Sequence, residues 1–128
     1  MSYTIDRTIA DASLDEVDAR VRKALADQGF GVLTEIDVQS TMKKKLDVDM
    51  RGYRILGACN PKMAHHAISI EPRVGAMLPC NIILREVDGG VEVSAIDPAA
   101  SMQAIDNVEL NAVAGKVRDL LAKAVAAL

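Results

Sequence analysis

The spacing of apolar residues changes period several times along the chain. Tyr3, Ile5, Arg7 and Ile9 alternate with Thr4, Asp6 and Thr8, a two-residue period that predicts a strand. Leu14, Val17, Val21, Ala24, Leu25 and Gln28 then follow helical spacing. The run Ser13-Leu14-Asp15-Glu16 opens this helix as a capping box, and Gly29 offers a left-handed stop. Residues 30–36 return to alternation, which places Phe30, Val32, Thr34 and Ile36 on one face. Asp37 caps a short second helix with Val38, Met42 and Leu46 as its stripe.

A third strand is expected over residues 53–58. Asn60-Pro61 reads as a cap with proline at the first helical position, where its missing N–H costs nothing. The helix it opens carries Met63, Ala64, Ala67, Ile68 and Ile70 on one face and ends by Pro72 and Gly75. Residues 80–86 and 91–96 form the clearest strand pair, joined across the tight turn Asp88-Gly89-Gly90. Asp97-Pro98 stops the second of these strands, and an irregular stretch follows. Asp106 or Asn107 then caps a long C-terminal helix with Leu110, Val113, Ala114, Val117, Leu120, Leu121, Ala124 and Leu128 in its stripe.

This order predicts one α+β domain over residues 1–128. The strands alternate rather than being apolar throughout, and the two longer helices have one apolar face each. A mostly antiparallel sheet of about five strands, with those helices packed on one face, satisfies both patterns.

Composition narrows the function classes. There is no Trp, one Phe and two Tyr, and the net charge is -3. Base-stacking aromatics and a cationic footprint are both missing, which argues against a nucleic-acid partner. Charges at Asp6 and Arg7 interrupt the place of a signal peptide, and no apolar run is long enough to span a bilayer. Two cysteines do not make a disulfide scaffold, so no membrane and a reducing cytoplasm are expected.

Candidate chemistry sits in two blocks, Gly57-Ala58-Cys59-Asn60-Pro61 and Leu78-Pro79-Cys80-Asn81. One ends the third strand and the other begins the fourth, so antiparallel pairing brings them together. Alternation puts Cys59 in phase with Gly57 and Ile55, and Cys80 in phase with Ile82 and Leu84, which predicts a shared face. Cys59, Asn60, Cys80 and Asn81 are therefore the candidate ligand-binding set. Cys59 also precedes a helix cap, where the helix dipole favours thiolate. Cys59 and Cys80 with His65, or its neighbour His66, are the candidate soft-metal set, although no CxxC element is present. As structural roles, the same residues are small buried hydrophobes, a helix cap and solvated histidines. Lys43, Lys44 and Lys45 make a solubilising face, with Lys45 the candidate contact for an anionic ligand. A triad of Ser40, His65 and Asp97 has nothing local to position it.

The stretch Gly29-Phe30-Gly31-Val32-Leu33-Thr34-Glu35-Ile36-Asp37-Val38, with Lys43-Lys44-Lys45-Leu46, Tyr53-Arg54-Ile55-Leu56 and the two cysteine-asparagine blocks, resembles the domain-of-unknown-function 302 family. The resemblance covers nearly the whole chain. It implies a TATA-binding-protein-like β-α-β(4)-α fold in a bacterial or archaeal cytosolic protein that pairs as a homodimer. It implies no activity, because that family has none established. Two functions stay in play: a non-catalytic module that binds a small molecule or assembles, and a thiol-dependent redox or metal-handling protein using Cys59 and Cys80. Any cofactor is left unspecified.

Overall fold

The computed structural model describes residues 2–128. In chain order its elements are β1 (Thr4–Ala10), α1 (Leu14–Asp27), β2 (Gly31–Asp37), α2 (Val38–Leu46), β3 (Tyr53–Cys59) and α3 (Pro61–Ile70). A 3-10 segment (Pro72–Met77), β4 (Cys80–Val87), β5 (Gly90–Ile96), α4 (Pro98–Ser101) and α5 (Val108–Ala126) complete the chain. The five strands form one sheet in the order β1-β5-β4-β3-β2, with every neighbouring pair antiparallel. The expected α+β class and five-stranded antiparallel sheet are both present.

The helix starts follow from their caps. The Ser13 hydroxyl accepts from the Glu16 N–H at 3.2 Å, and the Ser13 N–H donates to the Glu16 carboxylate at 3.4 Å, completing the capping box. Asp37, Asn60 and Asn107 each accept a backbone N–H in the first turn of α2, α3 and α5. Asn107 rather than Asp106 is thus the cap of α5.

One face of the sheet holds the core. Leu56 and Ala58 of β3, Ile82 and Leu84 of β4, and Val91, Val93 and Ala95 of β5 are all buried. Against them lie Val17, Val21 and Leu25 of α1 and Leu110, Val113 and Leu121 of α5. Each such aliphatic side chain contributes roughly 1.5–3 kcal/mol when fully buried.

A charged cluster fastens α1 over the β2–β3 side. Asp18, only 8% exposed, accepts from Arg22 at 2.6 Å and from Arg54 at 3.1 Å. Arg54 also reaches Asp15 at 2.6 Å, and Arg22 lies 3.4 Å from Glu35. Helical spacing hid this cluster, because two of its five members, Glu35 and Arg54, come from β2 and β3.

Two sequence expectations are corrected. The pairing of β2 with β3 shifts between Val32 and Thr34, so Leu33 is an extra residue in the edge strand. Phe30 and Val32 face the core, but Thr34 pairs with Gly57 and Ile36 with Ile55 on the open face. A one-residue insertion inverts the alternation, and the four residues do not share a face. The stretch after Asp97 is not irregular from its start either. Asp97 accepts the N–H groups of Ala99 and Ala100 and opens α4, with Pro98 at its first position. This is the same cap-plus-proline device as Asn60-Pro61.

Candidate functional site

A cavity of about 300 Å³ opens where β3 ends, β4 begins and α3 departs. Phe30, Ala58 and Cys80 form its floor, Ala64 and Ala67 of α3 one wall, and Val113 and Val117 of α5 the other. Pro98 and Met102, brought in by α4, close the far side. Leu33 and Ile68 stand on its rim, 68% and 44% exposed. The β2 bulge that inverts alternation is also what carries Leu33 to this rim. Bulges commonly re-aim a side chain beside a site.

Local sequence explains the shape. The α3 residues facing the cavity, Ala64 and Ala67, are small, and so is Ala114 opposite them on α5. Three alanines leave room where leucines would fill it. Gly57 lies just outside, under Pro79, whose Cγ is 2.7 Å from where a Cβ would stand; Thr34 crowds the same point. Any larger residue there would push the Leu78–Pro79 wall away.

Cys59, Asn60 and Cys80 all line the cavity. The route by which the cysteines meet differs from the expectation. Ala58, not Cys59, is the register partner of Cys80, and Gly57 is the partner of Asn81. Cys59 therefore belongs to the open-face phase and Cys80 to the core phase, so the predicted shared strand face is wrong. They converge because Cys59 ends its strand where the chain turns into α3, and the cavity lies at that end. Both are free thiols, Cys80 buried and Cys59 half-buried. Burial, and after it the neighbouring Cys59, pushes the Cys80 thiol up to about 11, so it stays protonated at neutral pH.

The other candidates stand elsewhere. Asn81 is exposed on the open face, in a cleft with Ile96 and Ser101. Lys45 shares a surface cleft with Lys44, Glu35 and Asp37, whose carboxylates offset its attraction for anions. Lys43 is taken up by Asp47 at 2.9 Å and Asp49 at 3.1 Å. His65 and His66 are exposed and do not line the cavity; His66 lies 3.7 Å from Glu109. Among the described residues, no three His, Cys, Asp or Glu side chains converge as a metal site.

A larger polar cleft of about 560 Å³ lies at the opposite end of β3 and β4, lined by Asp15, Gln39, Arg54 and Glu86. Its central charged groups are already engaged, Arg54 by Asp15 and Asp18, and Glu86 by the Gly52 N–H at 2.9 Å. The smaller apolar cavity is therefore the better ligand site. Volume alone would choose the other. Sequence reasoning found the cysteine end of the cavity but missed Phe30, Met102 and the α5 wall, which only tertiary packing brings in.

No helix is long and apolar enough to cross a membrane among the described residues. No curated protein matches the sequence. A solved structure described as the "Crystal structure of uncharacterized conserved protein DUF302 from Bacillus stearothermophilus" superposes with a TM-score of 0.92 at 22% identity, covering 99% of this chain and 98% of that one. At that identity the likeness speaks for the fold. The sequence itself matches the family described as Domain of unknown function DUF302 over residues 5–128. A match over nearly the full length settles the family, as the two cysteine-asparagine blocks and the strand-helix order anticipated: the chain belongs to the DUF302 family, whose function is unknown.

Proposed function

We propose that this protein binds a small, largely apolar molecule in the cavity between α3, α5 and the β3–β4 strand ends, and that it does so without catalysis. The cavity itself carries the reading. An apolar cavity of 150 Å³ takes up benzene, so about 300 Å³ suits a ligand of roughly twelve non-hydrogen atoms. The polar side chains around it are few, Asn60 and the two thiols, enough to orient a ligand and too few to activate one. No histidine or carboxylate among the described residues lines it to serve as a base, and Cys80 is held as a neutral thiol. Free thiols at a binding wall fit a reducing compartment, which supports a cytoplasmic location.

A ligand present at a hundred times its Kd adds about 2.7 kcal/mol to stability, a rise of roughly 10 °C in Tm for a domain of this size. A thermal-shift screen of C8 to C12 alcohols, cyclic hydrocarbons and small aromatics, run with a metal chelator present, is expected to yield such binders. Replacing Ala64, half-buried on the α3 wall, by leucine should fill the cavity and abolish the shift. A library with no stabilising member, or a shift untouched by Ala64→Leu, contradicts the proposal.

A further inference from the structure

Four side chains around the cavity carry sulfur: Cys59, Cys80, Met63 and Met102. They come from the end of β3, the start of β4, the first turn of α3 and the end of α4. Both cysteines of the chain and two of its six methionines thus converge on one apolar space. Cys80 and Met102 are buried, whereas Cys59 and Met63 are half-buried. That division gives two donors fixed by packing and two with solvent access. Asn60 is the one oxygen- or nitrogen-bearing side chain among the described lining residues, and its Oδ1 already accepts from the Met63 N–H. The donor set is soft throughout.

We infer that this cavity binds a soft monovalent cation, cuprous copper or silver, through the thiolates of Cys59 and Cys80, with the thioethers of Met63 and Met102 in the same lining as further soft donors. Thiolate and thioether donors select cuprous copper, which accepts low coordination. Zinc is a poorer fit. It takes thiolate, imidazole and carboxylate in fours, and both histidines lie outside the cavity. As two sulfur–metal bonds form, each thiol gives its proton to solvent, and no electron is transferred. The resulting centre carries one net negative charge. Cys59 directly precedes the Asn60 cap, so the positive end of the ten-residue helix α3 lies beside that charge and offsets it. Because each thiol must give up its proton to bind the metal, affinity should rise with pH.

Cysteine and methionine also serve as plain fillers of apolar walls, and the test separates the two roles. The full-length, reduced protein is titrated without oxygen into cuprous bicinchoninate, a coloured chelate that bleaches as copper leaves it. One equivalent per chain should be withdrawn, with less withdrawn at lower pH. Cys59→Ser and Cys80→Ala should each weaken binding more than about a hundredfold. Met63→Leu and Met102→Leu conserve volume and should each weaken it about tenfold. Zinc in excess should not compete. Melting curves of each variant establish that it is folded; if Cys80→Ala is not, the half-buried Cys59→Ser decides. No withdrawal of copper, full affinity in either cysteine variant, or full affinity in the double methionine variant would overturn the inference. This site goes beyond the apolar-ligand reading, and the two fail separately, because the thermal-shift screen contains chelator and the copper titration contains no apolar ligand.

Discussion

At the scale of single residues, the cavity rests on a few side chains whose roles separate cleanly. Asn60 caps α3 and lines the cavity at once. Asn60→Ala should cost about 1 kcal/mol in urea unfolding, whereas Asn60→Asp should keep most of it. Cys80 makes a pH-dependent contribution. In the folded protein its thiol titrates at about 11, against an ordinary value near 9.0. Below that ordinary value both states hold the proton, and the stability is unaffected. Between the two values the unfolded chain ionises first, so stability falls as pH rises, by about 2–3 kcal/mol in all. Denaturation at pH 8 and pH 11 should show that loss in the native protein and lack it in Cys80→Ala. Equal slopes in both would contradict the burial of the thiol. Asp18 belongs to the same scale. Asp18→Ala leaves Arg22 to Glu35 and Arg54 to Asp15 without their shared carboxylate, and should cost about 2 kcal/mol by the same unfolding measurement.

At the scale of elements, the helix starts were the most legible part of the sequence, because a cap is a local chemical device. Ser13 with Glu16, Asp37 and Asn60 with Pro61 can each be read without knowing what lies across the fold. Asp97-Pro98 shows the limit of that legibility: the pair stops β5 as expected and also caps α4, but a four-residue helix is too short to show a periodic stripe. The β2 bulge left no trace, since one inserted residue changes the face of everything after it without changing composition. The phase argument for the cysteines fails for a separate reason: the β3–β4 register pairs Cys80 with Ala58 rather than Cys59, and strand order carries no information about register. The bulge has a checkable consequence. Deleting Leu33 would let Val32 and Thr34 follow one another in regular register against Ala58 and Gly57. Because Leu33 is 68% exposed, the deletion should change stability by less than about 1 kcal/mol, within the usual range for surface changes. It should still weaken apolar-ligand binding, by removing one side of the rim. A deletion variant that unfolds would show instead that the bulge is a structural necessity.

At the scale of the whole molecule, the sheet divides the protein into a packed face and an open one. The packed face carries α1, α3 and α5, and the cavity lies where α3 and α5 separate over the strand ends. The open face bears the half-buried Ile55 and Ile83 among polar neighbours such as Asn81, Arg85 and Ser94. The cavity is a whole-molecule feature: its walls come from parts of the chain as distant as Phe30 and Val117, which no local pattern joins. The measurement that tests the central claim most directly is methyl NMR of the Ala-, Ile-, Leu- and Val-labelled protein during titration with a C10 alcohol. Saturable shifts confined to the methyls that line the cavity, among them Leu33, Ala64, Ala67, Val113, Ala114 and Val117, with Leu121 and Ala124 unmoved, are the predicted result. Shifts centred on Ile55 and Ile83 of the open face, or none at saturating ligand, would contradict it.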